Sequence, residues 1–155
     1  MSKFFLLCAC VLLLCTGALA QNKEAYIGYS FFSSGKNGWN GDLGYEYRGV
    51  TLEGDLGGYY SHNNSIHSFM GGVKVEAHRR RGFTPFGHFF LGGSHVSNLS
   101  GASDTAFSWA GGVGLDSKLR KGLGLRLGAD LFYTHFYNDG NLHLRAGAGL
   151  LYRFK

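Results

Sequence analysis

Seven histidines, ten acidic residues and fifteen basic residues carry most of the chemistry this 155-residue chain has to offer. Metal binding needs imidazoles that converge within a few Å. No His-x-x-x-His pair occurs, and His62, His67, His95 and His135 are read as ordinary polar residues at a water interface. His78, His88 and His143 are expected in an inner hydrogen-bond network. Paired carboxylates could serve a gated ion path or a proton relay, but nothing in the spacing of the acids selects that over structural salt bridges. All three cysteines (Cys8, Cys10, Cys15) lie in the first 15 residues. Beyond them the chain has no thiolate nucleophile, disulfide framework or Cys-based metal site. The Gly pairs are not followed by Gly-Lys-Ser/Thr, so no phosphate loop is expected. No residue is therefore assigned as catalytic, metal-ligating or cofactor-binding.

The elements that must position these residues begin after a detachable front. Lys3 precedes an apolar run from Phe4 to Cys15, and Ala18 and Ala20 form the small-residue pattern of signal-peptide cleavage. Residues 1–20 are expected to be a signal peptide, with 21–155 forming one domain. Twelve apolar residues make about 18 Å of helix, short of the roughly 30 Å hydrocarbon core. The remainder holds nearly all of the 26 glycines and the one proline, with 15% aromatic and 16% charged residues over the whole chain. Disorder and collagen do not fit that composition.

After Gln21 the pattern has a period of two, eight times over. Ala25, Ile27, Tyr29 and Phe31 alternate with Tyr26, Gly28, Ser30 and Phe32. Leu123, Leu125, Leu127, Ala129, Leu131 and Tyr133 alternate with Gly124, Arg126, Gly128, Asp130 and Phe132. The segment from Phe83 to His95 is the least regular, because Phe86 and Phe90 fall opposite its better apolar face. Each segment is about 9 to 13 residues, enough for a tilted strand to cross a bilayer. Connectors near Arg48-Gly49, Arg79 to Gly82 and Leu119 to Gly122 are tight and basic. Those at Ser34 to Gly38, Ser61 to Ser65, Val96 to Asp104 and Phe136 to Asn141 are polar and longer. This predicts an all-β fold: an eight-stranded antiparallel up-and-down transmembrane β-barrel with both ends in the periplasm.

Charge decides which face meets lipid. One parity carries Asp42, Glu46, Glu53, Asp55, Glu76, Asp116 and Asp130 together with Arg48, Lys74, Lys118, Arg126, Arg145 and Arg153. The other carries no charge within a strand and places aromatics toward strand ends, as interfacial girdles require. Near-balanced charge suits a narrow interior, where unpaired charge is costly. A secreted lipocalin-like ligand-binding barrel is the soluble alternative, with its apolar face inside. Eight strands leave room only for side chains, so a general diffusion pore is not expected. The net charge of +5 falls to +4 without Lys3 and is concentrated in Arg79 to Arg81 and Arg120-Lys121. No aromatics interleave with these residues, so nucleic acid is not a predicted partner. Lipid headgroups or periplasmic polyanions such as peptidoglycan suit them better.

The signal peptide, the eight alternating strands and the aromatic-ended last strand resemble the small outer-membrane β-barrel family, similar to the OmpA transmembrane domain and OmpX. Gly38-Trp39-Asn40-Gly41, Thr84-Pro85-Phe86-Gly87-His88, Gly93-Ser94-His95-Val96-Ser97 and Gly111-Gly112-Val113-Gly114-Leu115-Asp116 resemble an uncharacterised group of this class. So does the stretch from Asn141-Leu142 to Tyr152-Arg153-Phe154. The resemblance implies a monomeric, porin-like but non-enzymatic protein of the Gram-negative outer membrane and cell envelope. Its partners would be outer-membrane lipid and lipopolysaccharide, and the barrel-assembly machinery reading Leu150, Tyr152 and Phe154. Lys155 after Phe154 departs from that terminal signal. His95-Val96-Ser97-Asn98 is also similar to a stretch of the PagL lipid A deacylases. That likeness implies His95 as base and Ser97 as nucleophile, both on the lipid-facing side by parity. The expected acid, about 14 residues on, falls at Phe107-Ser108-Trp109, and Asp104 is the nearest carboxylate.

Overall fold

A computed structural model describes residues 23–62, 64–77, 82–98, 101, 103–136 and 139–154. The expected signal peptide lies outside them, as do His78, Arg79 to Arg81 and Lys155. Eight strands run in chain order: β1 (Lys23–Phe32), β2 (Asn37–Tyr47), β3 (Val50–Tyr60), β4 (Asn64–Glu76), β5 (Phe83–Asn98), β6 (Ser103–Lys118), β7 (Leu123–Phe136) and β8 (Asp139–Arg153). Each pairs antiparallel with the next, and β8 pairs with β1 to close the barrel. Closure satisfies every strand edge along the shared ladder, which a lipid environment demands.

Alternation assigns the faces correctly in all eight strands. Tyr26, Ser30 and Phe32 are buried while Ile27, Tyr29 and Phe31 are exposed. In β5, Phe86 and Phe90 point inward and Phe83, Phe89 and Leu91 outward, so the irregular segment carries aromatics on both faces. The outer surface is apolar and the buried charges are all inside, the inverse of a soluble barrel. Trp39, Tyr45, Tyr47, Tyr60, Phe107, Tyr152 and Phe154 are exposed. Trp109 stacks on Tyr133, with centroids 5.8 Å apart, and lies 6.1 Å from Phe89.

The strands run further than alternation indicates. β5 and β6 have 16 residues each, and Ser65↔Ser97, Asn64↔Asn98 and Ser97↔Ser103 continue the ladder into stretches expected as loops. There the outward positions are polar (Ser65, Ser97) and the inward ones apolar (Ile66, Val96), so the apolar-out alternation stops although backbone pairing continues. At the other end the turns are tight. Arg48 and Gly49 both adopt positive φ, 52° and 84°, as a two-residue hairpin turn requires.

Val113, 66% exposed near the middle of β6, offers a test of orientation. Val113→Arg is expected to cost about 2–4 kcal/mol in a bilayer, the penalty for a charge near the midplane. Urea titration in lipid vesicles reads it. A change within about 0.5 kcal/mol, typical of a wet surface, would mean that this face meets water.

Candidate functional site: a filled lumen and an outward His–Ser pair

The inner half of the barrel, beside the chain ends, holds a knot of ion pairs. Every strand but β5 contributes a charged side chain, because inward positions recur every second residue. Lys74, fully buried on β4, contacts Glu24 and Glu76 and lies 3.5 Å from Glu53 and 3.8 Å from Asp116. Arg126 on β7 donates through Nε to Asp116 at 2.8 Å and through Nη2 to Glu24 at 2.7 Å. Its Nη1 reaches Asp42 and Glu53, each at 3.3 Å. Arg153 on β8 ties Glu24, Glu76 and Asp116 together from the mouth. Phe86 lies under the Arg126 guanidinium at 4.8 Å, a cation–π contact.

Midway up, Arg145 donates to Asp130 at 2.6 Å through Nε and to the Tyr59 hydroxyl at 2.7 Å through Nη1. Asp55 lies 3.5 Å from Arg145, and His88 Nε2 stands 2.7 Å from the other Asp130 oxygen. His88 thus sits in the inner network as expected. His143 is half-buried and meets the Phe32 ring edge-on at 6.2 Å.

Above this layer the lumen turns apolar, which sequence reasoning missed. Phe32, Tyr59 and Phe132 pack edge to face, with centroids 4.6 to 6.2 Å apart. Ile66, Met70, Phe90, Val96, Ala110 and Phe136 complete the cluster. Inward glycines make room for these rings as well as for charges. A Cβ at Gly72 would lie 2.6 Å from the Phe90 ring, and one at Gly57 would lie 2.6 Å from Cζ of Tyr59.

The charge balance also differs from the one expected. Glu46, Arg48 and Lys118 share the inward parity but are exposed at the mouth. Glu24, which precedes the first clear alternation, is buried inside. Among the described residues, seven carboxylates (Glu24, Asp42, Glu53, Asp55, Glu76, Asp116, Asp130) therefore face four permanent cations (Lys74, Arg126, Arg145, Arg153). Asp42 and Asp55 are directly opposed across β2 and β3, and one oxygen of each lacks a hydrogen-bond partner, as does Glu53 Oε2. Glu24, Glu76 and Asp116 converge closely enough to hold a metal ion. The amino and guanidinium groups of Lys74 and Arg153 already occupy that space.

On the outer face, β5 brings His95 and Ser97 together. Ser97 Oγ is 3.2 Å from His95 Nε2, and His95 Nδ1 is 2.7 Å from Thr105 Oγ1 on β6. With the proton on Nδ1, the imidazole donates to Thr105 and leaves Nε2 to accept from the Ser97 hydroxyl. Thr105 stands where a triad would place its acid. Asp104, one residue away, has the opposite parity and pairs with inward-facing Val96. His67 is the cross-strand neighbour of His95, while His135 lies 3.3 Å from the Tyr133 hydroxyl. The four outer histidines do not form one cluster.

No family model and no curated protein matches the chain. Solved structures do. The Neisserial surface protein A structure is 16% identical, covering 89% of this chain and 99% of that one, with a TM-score of 0.68. The N-terminal β-barrel domain of Pseudomonas aeruginosa OprF is also 16% identical, covering 85% and 97%, with a TM-score of 0.69. The chain has the outer-membrane β-barrel fold. The outer-membrane enzyme PagL shares this fold at 14% identity and a TM-score of 0.52, covering 83% of this chain and 97% of that one. The fold alone thus accommodates both surface proteins and an enzyme.

Proposed function

We propose that this protein is a monomeric, closed barrel of the Gram-negative outer membrane that acts through its surface and its loops rather than by conducting solutes. The carrying observation is the doubly filled lumen. The ion-pair knot fills the inner half and the Phe32–Tyr59–Phe132 cluster fills the outer half. An eight-stranded barrel has little width beyond its side chains. Leu150 and Tyr152 on the last strand and Phe154 just past its end present an exposed apolar row, which suits recognition by the barrel-assembly machinery. The expected result in planar bilayers is no stepwise ohmic conductance, alongside heat-modifiable migration of the membrane fraction. Regular single-channel steps from folded protein would sink this reading.

A second reading rests on the His95–Ser97 geometry: an acyl hydrolase acting on lipid A in the outer leaflet. The 3.2 Å contact suits general-base activation of Ser97. A neutral Thr105 gives the imidazolium no charge compensation, which ranks this reading below the first. Mass spectrometry of lipid A from cells with and without the protein is expected to show the same acyl chains. Loss of one chain, abolished by Ser97→Ala, would reverse the ranking.

A further inference from the structure

The outer surface of β4 to β7 carries a shallow, open groove of about 820 Å³ that runs from Val113 toward the chain-end rim. Its floor is a row in register across four strands: Val75, Gly87, Val113 and Ala129. Pro85, Leu115 and Leu127 form the next row toward the turns. Gly87 creates depth without serving the fold, because a Cβ there would meet only Gly112 O at 3.8 Å. Leu115 stands three residues above Lys118, about 10 Å along the strand. Below it the β6–β7 turn closes on itself: Leu119 N and Arg120 N both donate to Leu123 O, and Leu123 N donates back to Arg120 O. Gly122 takes the positive φ, 78°, that this turn needs. The turn exposes Arg120 and Lys121 to solvent, and among the described residues neither forms an ion pair. An apolar slot of acyl-chain character therefore ends at two exposed cations. That is the order of parts in an anionic phospholipid standing in the adjacent leaflet.

We propose that this groove and turn form a binding site for an anionic phospholipid of the periplasmic leaflet, with its acyl chain over Gly87 and its phosphate on Arg120 and Lys121. The site is independent of whether the lumen conducts. Its test uses the mature barrel in nanodiscs of phosphatidylethanolamine and phosphatidylglycerol, with the lipid retained on the released protein counted by native mass spectrometry. Retained phosphatidylglycerol is expected at about fivefold or more above its bulk share. Arg120→Ser/Lys121→Ser is expected to return the ratio to bulk. Gly87→Leu is expected to remove the retained lipid, with heat-modifiable migration intact. If the double variant does not fold, Arg120→Ser and Lys121→Ser singly should each lower the ratio. Retention at bulk composition overturns the proposal, as does enrichment that survives the turn substitutions or Gly87→Leu. A wild-type dimer dissociated by Gly87→Leu would make the groove a protein interface and also overturn it. So would binding of the turn to peptidoglycan without lipid enrichment.

Discussion

Arg126→Met is expected to destabilise the folded barrel by about 3–5 kcal/mol, the usual penalty for removing one partner of a buried ion pair. Arg126 is 4% exposed and reaches Glu24, Asp42, Glu53 and Asp116. Methionine fills similar volume, so the loss reports charge rather than a cavity. Seven interior carboxylates would then face three cations. The same imbalance gives the experiment an internal control. Glu53→Gln in the Arg126→Met background is expected to recover part of the loss, because it removes a carboxylate without emptying its place. Urea midpoints followed by heat-modifiable migration in vesicles measure both. A single-variant loss below about 1 kcal/mol, the range of exposed pairs, would mean that water reaches the knot.

Phe132→Ala is expected to cost a comparable amount, about 3–5 kcal/mol, by transfer and cavity terms together. Phe132 is fully buried, meets Phe32 and Tyr59 edge to face, and lies 5.3 Å from the Arg145 guanidinium. Phe132→Leu keeps most of the volume and is expected to lose less than about 1.5 kcal/mol. The same titration compares the two. Equal small losses would show that this end of the lumen is already hydrated. The pair of variants separates the apolar plug from the ion-pair knot, since neither substitution touches the contacts of Lys74 or Arg153.

Much of the fold is legible along the chain because a strand's face assignment is local. Ile27 and Tyr26 differ in parity, and so do Leu127 and Arg126; a period of two needs no knowledge of what lies across the barrel. The tight basic turns and the polar loops gave the connectivity for the same reason. Strand ends were less legible. Ser65, Ser97 and Ser103 read as loop by composition, yet they remain in the ladder, because antiparallel pairing depends on the backbone. Glu24 was missed because a single charge before Ala25 shows no alternation to place it.

The sequence by itself determined the strand count, the inward and outward sets, and the presence of charge inside. Which inward residues meet was decided only by closure. Pairing β1 with β8 sets Glu24 beside Arg153 and, through the stagger of the strands, beneath Lys74 from β4 and Arg126 from β7. Closure likewise gathered Phe32, Tyr59 and Phe132 from three strands into a plug that no local window contains. His95 and Ser97 show the division most plainly. Their shared face follows from a spacing of two, whereas the group on Nδ1 depends on the β5–β6 register, and that register supplies Thr105 and turns Asp104 to the opposite face. Parity is a property of one strand; a contact across the lumen or between strands belongs to the sheet that has closed around it.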